Sequence, residues 1–249
     1  MDMMSSVDKN AFFEELERIF ALNSLDKYLT EESKEKFYLF TRIFLEVNKR
    51  MNLTSVTGLS DIILKHYADC VTVAKYIPKG ARVIDVGCGP GFPLFPLAIV
   101  REDIQITALD STAKKIEFVK KTAAAIGLDN IEVCCKRAEE AAHNPLLREK
   151  FDIACARAVA RMEILCEYCI PYVKVTGSFI AMKARPTQEE IEGAERASRQ
   201  INSKVEKIEK FTITDGNENY ERMLILIKKQ SPTPKNFPRN NAQISKKPL

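Results

Sequence analysis

Apolar side chains recur at helical spacing through the first third of the chain. Phe12, Phe13, Leu16, Ile19 and Phe20 fall on one face, with Glu14, Glu15, Glu17 and Arg18 between them, which predicts an amphipathic helix. Phe37, Phe40, Phe44 and Val47 form a second stripe. Aromatics at this regular spacing read as core, ahead of a platform for stacking RNA bases. A third helix is predicted over 60–76, with Ser60 or Asp61 as its N-cap and Pro78-Lys79-Gly80 as its stop.

From residue 81 the period changes. Short β-branched runs at 82–86, 104–109, 131–135, 151–156 and 178–182 alternate with helical segments at 113–126, 160–169 and 187–202. Strands separated by helices of this length predict a parallel sheet with crossover helices. The runs at 205–214 and 220–228 flank Asp215-Gly216-Asn217-Glu218, so the sheet should close with an antiparallel hairpin. Three zones result: a helical extension over 1–80, an α/β domain over 81–229 and a tail over 230–249. The tail holds four prolines, which argue against regular structure.

Composition narrows the class. At 45% apolar and 29% charged, the chain is neither collagen-like nor disordered nor a coiled coil. The net charge of +4 is small, but six Lys and Arg and no acid lie between Lys228 and Leu249. Subtracting those six leaves −2 for everything before them. The lysines of the tail and Arg239 suit phosphate contacts, and Phe237 suits stacking on a base; a solvated end is the alternative. The opening segment carries charges throughout and has no apolar h-region, so no signal peptide is expected. The stretch 86–100 is uncharged but broken by glycine and proline, and it is shorter than the ~20 residues of a membrane span. Those features predict a cytoplasmic chain without a transmembrane segment, whose seven cysteines are reduced. Cys166-x-x-Cys169 has no His at ligand spacing, so both read as buried thiols and no metal is expected.

The segment Asp85-Val86-Gly87-Cys88-Gly89-Pro90-Gly91-Phe92 carries the chemistry. It follows a predicted strand, and its glycines allow a tight turn and close approach to a ligand. Phe92 stands where the dinucleotide fingerprint needs its third glycine, and no P-loop is present. D-x-G-x-G after the first strand is instead the pattern of S-adenosylmethionine (AdoMet) methyltransferases. Asp110 ends the second strand, where an acid can accept hydrogen bonds from both ribose hydroxyls; it can also cap the following helix. His66 and Asp69 share a helix face and read as a surface pair or a packing contact between extension and core, ahead of an RNA-facing role. His143 lies in a polar loop and reads as solvated.

With these motifs together, the chain closely resembles the RsmG (GidB) family of bacterial 16S ribosomal RNA guanine-N7 methyltransferases. The resemblance covers Asn52-Leu53-Thr54, His66-x-x-Asp69, 85–93, Asp110-Ser111 with Lys114, and Arg137-Ala138-Glu139. It continues through Phe151-Asp152, Ala156-Arg157-Ala158-Val159-Ala160, Met182-Lys183 and the tail segment 233–239. It implies a class I, Rossmann-like AdoMet methyltransferase domain, mostly parallel with a terminal antiparallel hairpin, behind an N-terminal helical extension. It implies AdoMet contacts at Gly87, Gly89, Phe92, Asp110, Ala138, Glu139 and Arg157. Arg137, Arg157 and Lys183 would position the substrate, with no general base, because guanine N7 carries a free lone pair at neutral pH. The partner implied is 16S ribosomal RNA or the small ribosomal subunit, met by a monomer without metal or membrane. Two other readings stay open: a small-molecule methyltransferase on the same scaffold, and a non-catalytic RNA-binding or assembly protein.

Overall fold

The computed structural model describes residues 7–51, 54–157 and 159–249. Asn52, Leu53 and Ala158 of the motifs above lie outside the described residues. Seven strands form one sheet in the order β3-β2-β1-β4-β5-β7-β6. They are β1 (Arg82–Val86), β2 (Gln105–Asp110), β3 (Ile131–Cys135), β4 (Phe151–Arg157), β5 (Val173–Lys183), β6 (Ser203–Thr214) and β7 (Asn219–Lys229). β1 to β5 pair in parallel. β7 runs antiparallel between β5 and β6, as the predicted hairpin requires.

Alternation along the strands sorts side chains onto two faces. Val83, Ile153 and Cys155 join a cluster that continues without a break into the N-terminal helices α1 (Lys9–Leu22) and α2 (Glu31–Met51). Ile84, Ala154 and Ala156 face the other way, toward α8 (Met162–Cys169) and α9 (Gln188–Gln200). The stripe of Phe12, Leu16, Phe37, Phe40 and Phe44 is wholly buried. The extension therefore shares the core of the sheet.

The predicted third helix forms, but with changing pitch. α3 (Leu59–Ile62) passes into a π-helical segment, Ile63–Ala68, then α4 (Asp69–Val71) and a 3-10 turn, Thr72–Tyr76. Ile62, Ile63, Leu64, Tyr67, Ala68 and Cys70 are all buried. That spread is wider than the single stripe of a regular amphipathic helix.

The tail meets one expectation and departs from another. The segments that hold its four prolines, 230–240 and 247–249, carry no helix or strand, but the tail packs against the domain and contains one short helix, α10 (Asn241–Lys246), capped by the Asn240 side chain. Arg239 bonds through Nε and Nη2 to the carboxylate of fully buried Glu167, at 2.9 and 2.6 Å. The Arg148 guanidinium gathers the carbonyls of Phe237 and Thr233 at 2.8 and 3.0 Å. Phe237 packs on the second core cluster. Arg239 and Phe237 are thus engaged within the protein, while Lys235, Lys246 and Lys247 remain exposed. His143, read as solvated, is exposed but places Nε2 3.0 Å from Pro238 O.

Candidate active site

Strand order reverses between β1 and β4, because β2 and β3 extend to one side and β4 and β5 to the other. Ligands of open α/β sheets bind at such a switch point, beyond the carboxyl ends of the strands. A cleft of about 520 Å³ lies there. β1 delivers the glycine loop, β2 delivers Asp110, and β4 delivers Arg157. The turn from β3 into α7 (Ala138–Ala141) brings Arg137, Ala138 and Glu139.

The glycine loop is held closed by its own backbone. Gly87 N and Cys88 N both donate to Leu109 O, at 2.8 and 3.0 Å. Gly87 adopts φ +76°, and a Cβ there would sit 2.8 Å from Val159 Cγ2. Gly91, at φ +99°, would drive a Cβ to 2.1 Å from the Phe95 ring. Glycine is therefore needed at both for backbone and space. Asp110 is not the helix cap, since Thr112 precedes α6 (Ala113–Ala125) as its N-cap residue. Its Oδ1 accepts from Thr112 N at 2.8 Å and its Oδ2 from Gly89 N at 3.1 Å. One lone pair on each oxygen is left for a ligand. Lys115 stands 3.7 Å away, and Lys115 rather than Lys114 lines the cleft.

Asp85 sits beneath the loop, fully buried. Its Oδ2 accepts from Leu94 N at 3.1 Å, while Oδ1 has no partner among the described residues. Burial pushes its carboxyl up to about 7.

The wall toward β4 is built by the π segment. His66 stacks on Phe92 with ring centroids 4.6 Å apart, and Phe92 rests on Phe40 and Phe44 of the core stripe. Arg157 donates through Nη1 to Lys65 O at 2.7 Å and Asp69 Oδ2 at 3.1 Å, and through Nη2 to His66 Nδ1 at 2.9 Å. His66 and Asp69 thus form the packing contact between extension and core, and His66 also lines the cleft. Desolvation first, and then the Arg157 charge, depress the His66 pKa to about 4.

A family model for rRNA small subunit methyltransferase G (GidB) matches residues 33–220. The chain belongs to this family. It is 39% identical over 235 residues to a ribosomal RNA small subunit methyltransferase G of Lactobacillus helveticus, covering 93% of this chain and 97% of that one. A Clostridium perfringens protein of the same name is 41% identical over 233 residues, covering 92% and 96%. Among solved structures, a SAM-dependent methyltransferase from Aquifex aeolicus aligns with a TM-score of 0.52 at 18% identity, over 71% of this chain and 97% of that one. The M. jannaschii TYW2–AdoMet complex aligns with a TM-score of 0.52 at 13% identity, over 65% and 74%. The fold is that of class I AdoMet methyltransferases, and membership makes this chain an AdoMet-dependent ribosomal RNA methyltransferase.

The cleft fits that cofactor: Gly87 and Gly89 line it without side chains, and Asp110 offers spare acceptors at its edge. Gly87, Gly89, Phe92, Asp110, Ala138, Glu139, Arg137 and Arg157 all line it. Arg137 is half-exposed and donates through Nε to Glu139 Oε1 at 2.8 Å. Lys183 lies apart from the lining; its ammonium donates to Ala160 O at 2.7 Å and Glu190 Oε1 at 2.6 Å. Sequence reasoning missed Tyr168, which enters the cleft from α8 with its hydroxyl donating to Asn241 Oδ1 at 2.6 Å. Thr54, of the Asn52-Leu53-Thr54 motif, also lines the cleft. Cys166 and Cys169 are buried on α8. No helix among the described residues is long and apolar enough to cross a membrane.

Proposed function

We propose that this chain, as a cytoplasmic monomer, transfers the AdoMet methyl group to N7 of a guanine in small-subunit ribosomal RNA. The observation that carries the reading is the state of His66. It is the one imidazole lining the cleft. Its Nδ1 lone pair is taken by Arg157, and its depressed pKa keeps the ring uncharged. It has no free lone pair with which to remove a proton. Asp110 keeps spare lone pairs, but it stands with Glu139 at the β2–β3 side of the cleft, where the cofactor's nucleoside would bind, and Glu139 Oε1 is taken by Arg137. On the other side neither His66 nor Arg157 offers a proton acceptor. That side, without a free base, suits an acceptor whose lone pair is already available, and guanine N7 is such an acceptor.

When bound, AdoMet would supply an electrophilic sulfonium methyl group for transfer to N7, with a thioether as the leaving group. The chain's part is alignment and exclusion of water. Asp110 and the glycine loop would hold the cofactor's nucleoside end. Phe92 and His66 give the acceptor end a flat apolar wall, and Arg157 keeps that wall in place. Labelled methyl transfer to small-subunit RNA and to assembled subunits, followed by nucleoside analysis, tests the reading: 7-methylguanosine is expected. Label in an exocyclic amine or a ribose hydroxyl would rule it out.

A further inference from the structure

Thr54 is fixed more firmly than a surface loop residue needs to be. Its backbone N donates to Asn48 Oδ1 at 2.8 Å, and its carbonyl accepts from Asn48 Nδ2 at 3.0 Å. Asn48 is itself buried on α2. The Thr54 side chain is held twice more. Val56 N donates to Oγ1 at 3.1 Å, and His66 Nε2 lies 3.2 Å from the same oxygen.

The direction of that last bond follows from Arg157. A guanidinium only donates, so His66 Nδ1 must accept at 2.9 Å. The neutral ring then carries its one hydrogen on Nε2, which donates to Thr54 Oγ1. Both lone pairs of Oγ1 are therefore occupied, by Val56 N–H and His66 Nε2–H. The hydroxyl hydrogen is left over. No acceptor among the described residues takes it, and Thr54 lines the cleft.

The position of this donor matters. Asp110, Ala138 and Glu139 occupy the β2–β3 half of the cleft, which the nucleoside of the cofactor needs. Thr54, His66, Phe92 and Arg157 bound the opposite half, left for the acceptor base. We propose that Thr54 is the specificity-determining donor of this acceptor half, its hydroxyl bonding O6 of the target guanine, with His66 and Arg157 as positioning residues. This rests on the guanine-N7 reading above. Guanine shows O6 as an acceptor beside N7, whereas adenine shows an N6 amino donor there. A hydroxyl whose lone pairs are both filled cannot accept from that amine. The same geometry welcomes guanine and turns adenine away, and its rigidity leaves little ordering to be done on binding.

The test uses the full-length protein and RNA carrying 2-aminopurine at the position mapped in the wild-type product. That base keeps N7 and lacks O6. Wild type should lose roughly 10–100-fold in kcat/KM on this substitution, as expected when a fixed donor loses its partner. Thr54→Val should be slower on guanine and then lose less than about threefold on 2-aminopurine, because the contact is already gone. Thr54→Ala provides the same comparison should valine disturb the loop. Thr54→Ser should keep a penalty of the wild-type order, and His66→Ala should reduce it by letting the hydroxyl turn. AdoMet affinity and melting temperature report that each variant is folded. A full O6 penalty in both Thr54→Val and Thr54→Ala would overturn the proposal, as would a wild type that makes 7-methylguanosine but is indifferent to O6. Absence of 7-methylguanosine from the wild-type product would instead remove the guanine reading beneath it, before any variant is compared.

Discussion

At the scale of single residues, two buried groups titrate in opposite senses. The folded His66 has a pKa of about 4 against 6.5 for a free imidazole. Between those values the unfolded chain binds the extra proton, so His66 stabilises the fold above about pH 6.5 and that contribution is lost as pH falls toward 4. Asp85 does the reverse. Its carboxyl is raised to about 7 from 3.8, so its contribution is present at low pH and is lost as pH rises through that window. The two partly cancel in the whole protein, and a variant separates them. His66→Gln keeps the Asp85 contribution and drops the other. Wild-type stability minus that of the variant should fall by up to about 1.4 kcal/mol per pH unit between about pH 6.5 and about pH 4, read from urea unfolding at several pH values. A difference that does not change with pH would mean that the imidazole titrates normally in the fold. Asp110 makes a second prediction. It ties the glycine loop to the start of α6 and faces the cleft with its remaining lone pairs. Asp110→Ala should weaken AdoMet binding by roughly 1–3 kcal/mol, the range for stranding hydrogen-bonding partners. Calorimetry with unchanged affinity would remove it from the site.

At the scale of elements, legibility followed the source of order. β1 and β3 fall where their β-branched runs predict, and α6 ends one residue short of its predicted limit, because packing on one face imprints a period on the sequence. The glycine loop and Asp110 were legible for the same reason: they sit at strand ends. The π segment was not. Its signal is an apolar run too wide for one stripe, which gives no warning of a pitch change, and the placement of His66 beside Phe92 depends on that pitch. The packing of the tail, with Arg239 and Phe237 engaged within the protein, was not legible because it comes from distant partners. Glu167 and Arg148 lie far away in sequence, and nothing in the spacing of four prolines announces them. Glu167 buries its carboxylate completely and relies on Arg239. Arg239→Ala should therefore cost about 3–5 kcal/mol, the usual penalty for stranding a buried charge, and the double variant Glu167→Leu/Arg239→Leu should recover most of it. Denaturant titration would show this. A single variant as stable as wild type would return the tail to the status of a loosely attached end.

At the scale of the whole molecule, the cleft is assembled from residues as far apart in sequence as Thr54 and Tyr168, carried by the extension, four strand ends and α8. Such a site contributes placement: each wall is held by groups that are already hydrogen-bonded within the protein. Arg157 commits three N–H groups to Lys65, Asp69 and His66, so it acts chiefly as a brace between extension and sheet. Catalysis by placement has a kinetic signature. An essential base would imprint its pKa on the rate, whereas guanine N7 needs no deprotonation and the imidazole of the cleft is neutral well below pH 6. The single-turnover rate on RNA should therefore be nearly flat from about pH 6 to about pH 8.5. His66→Ala should lower it without introducing a slope, because it loosens a wall and removes no proton acceptor. Arg157→Ala should lower it further across the same range, because the brace and the wall fail together. A rate climbing about tenfold per pH unit to a plateau would mean that a proton must leave before the methyl group arrives. An exocyclic amine or a hydroxyl would then be the acceptor, and a carboxylate of the cleft would have to turn from holding the cofactor to serving as its base.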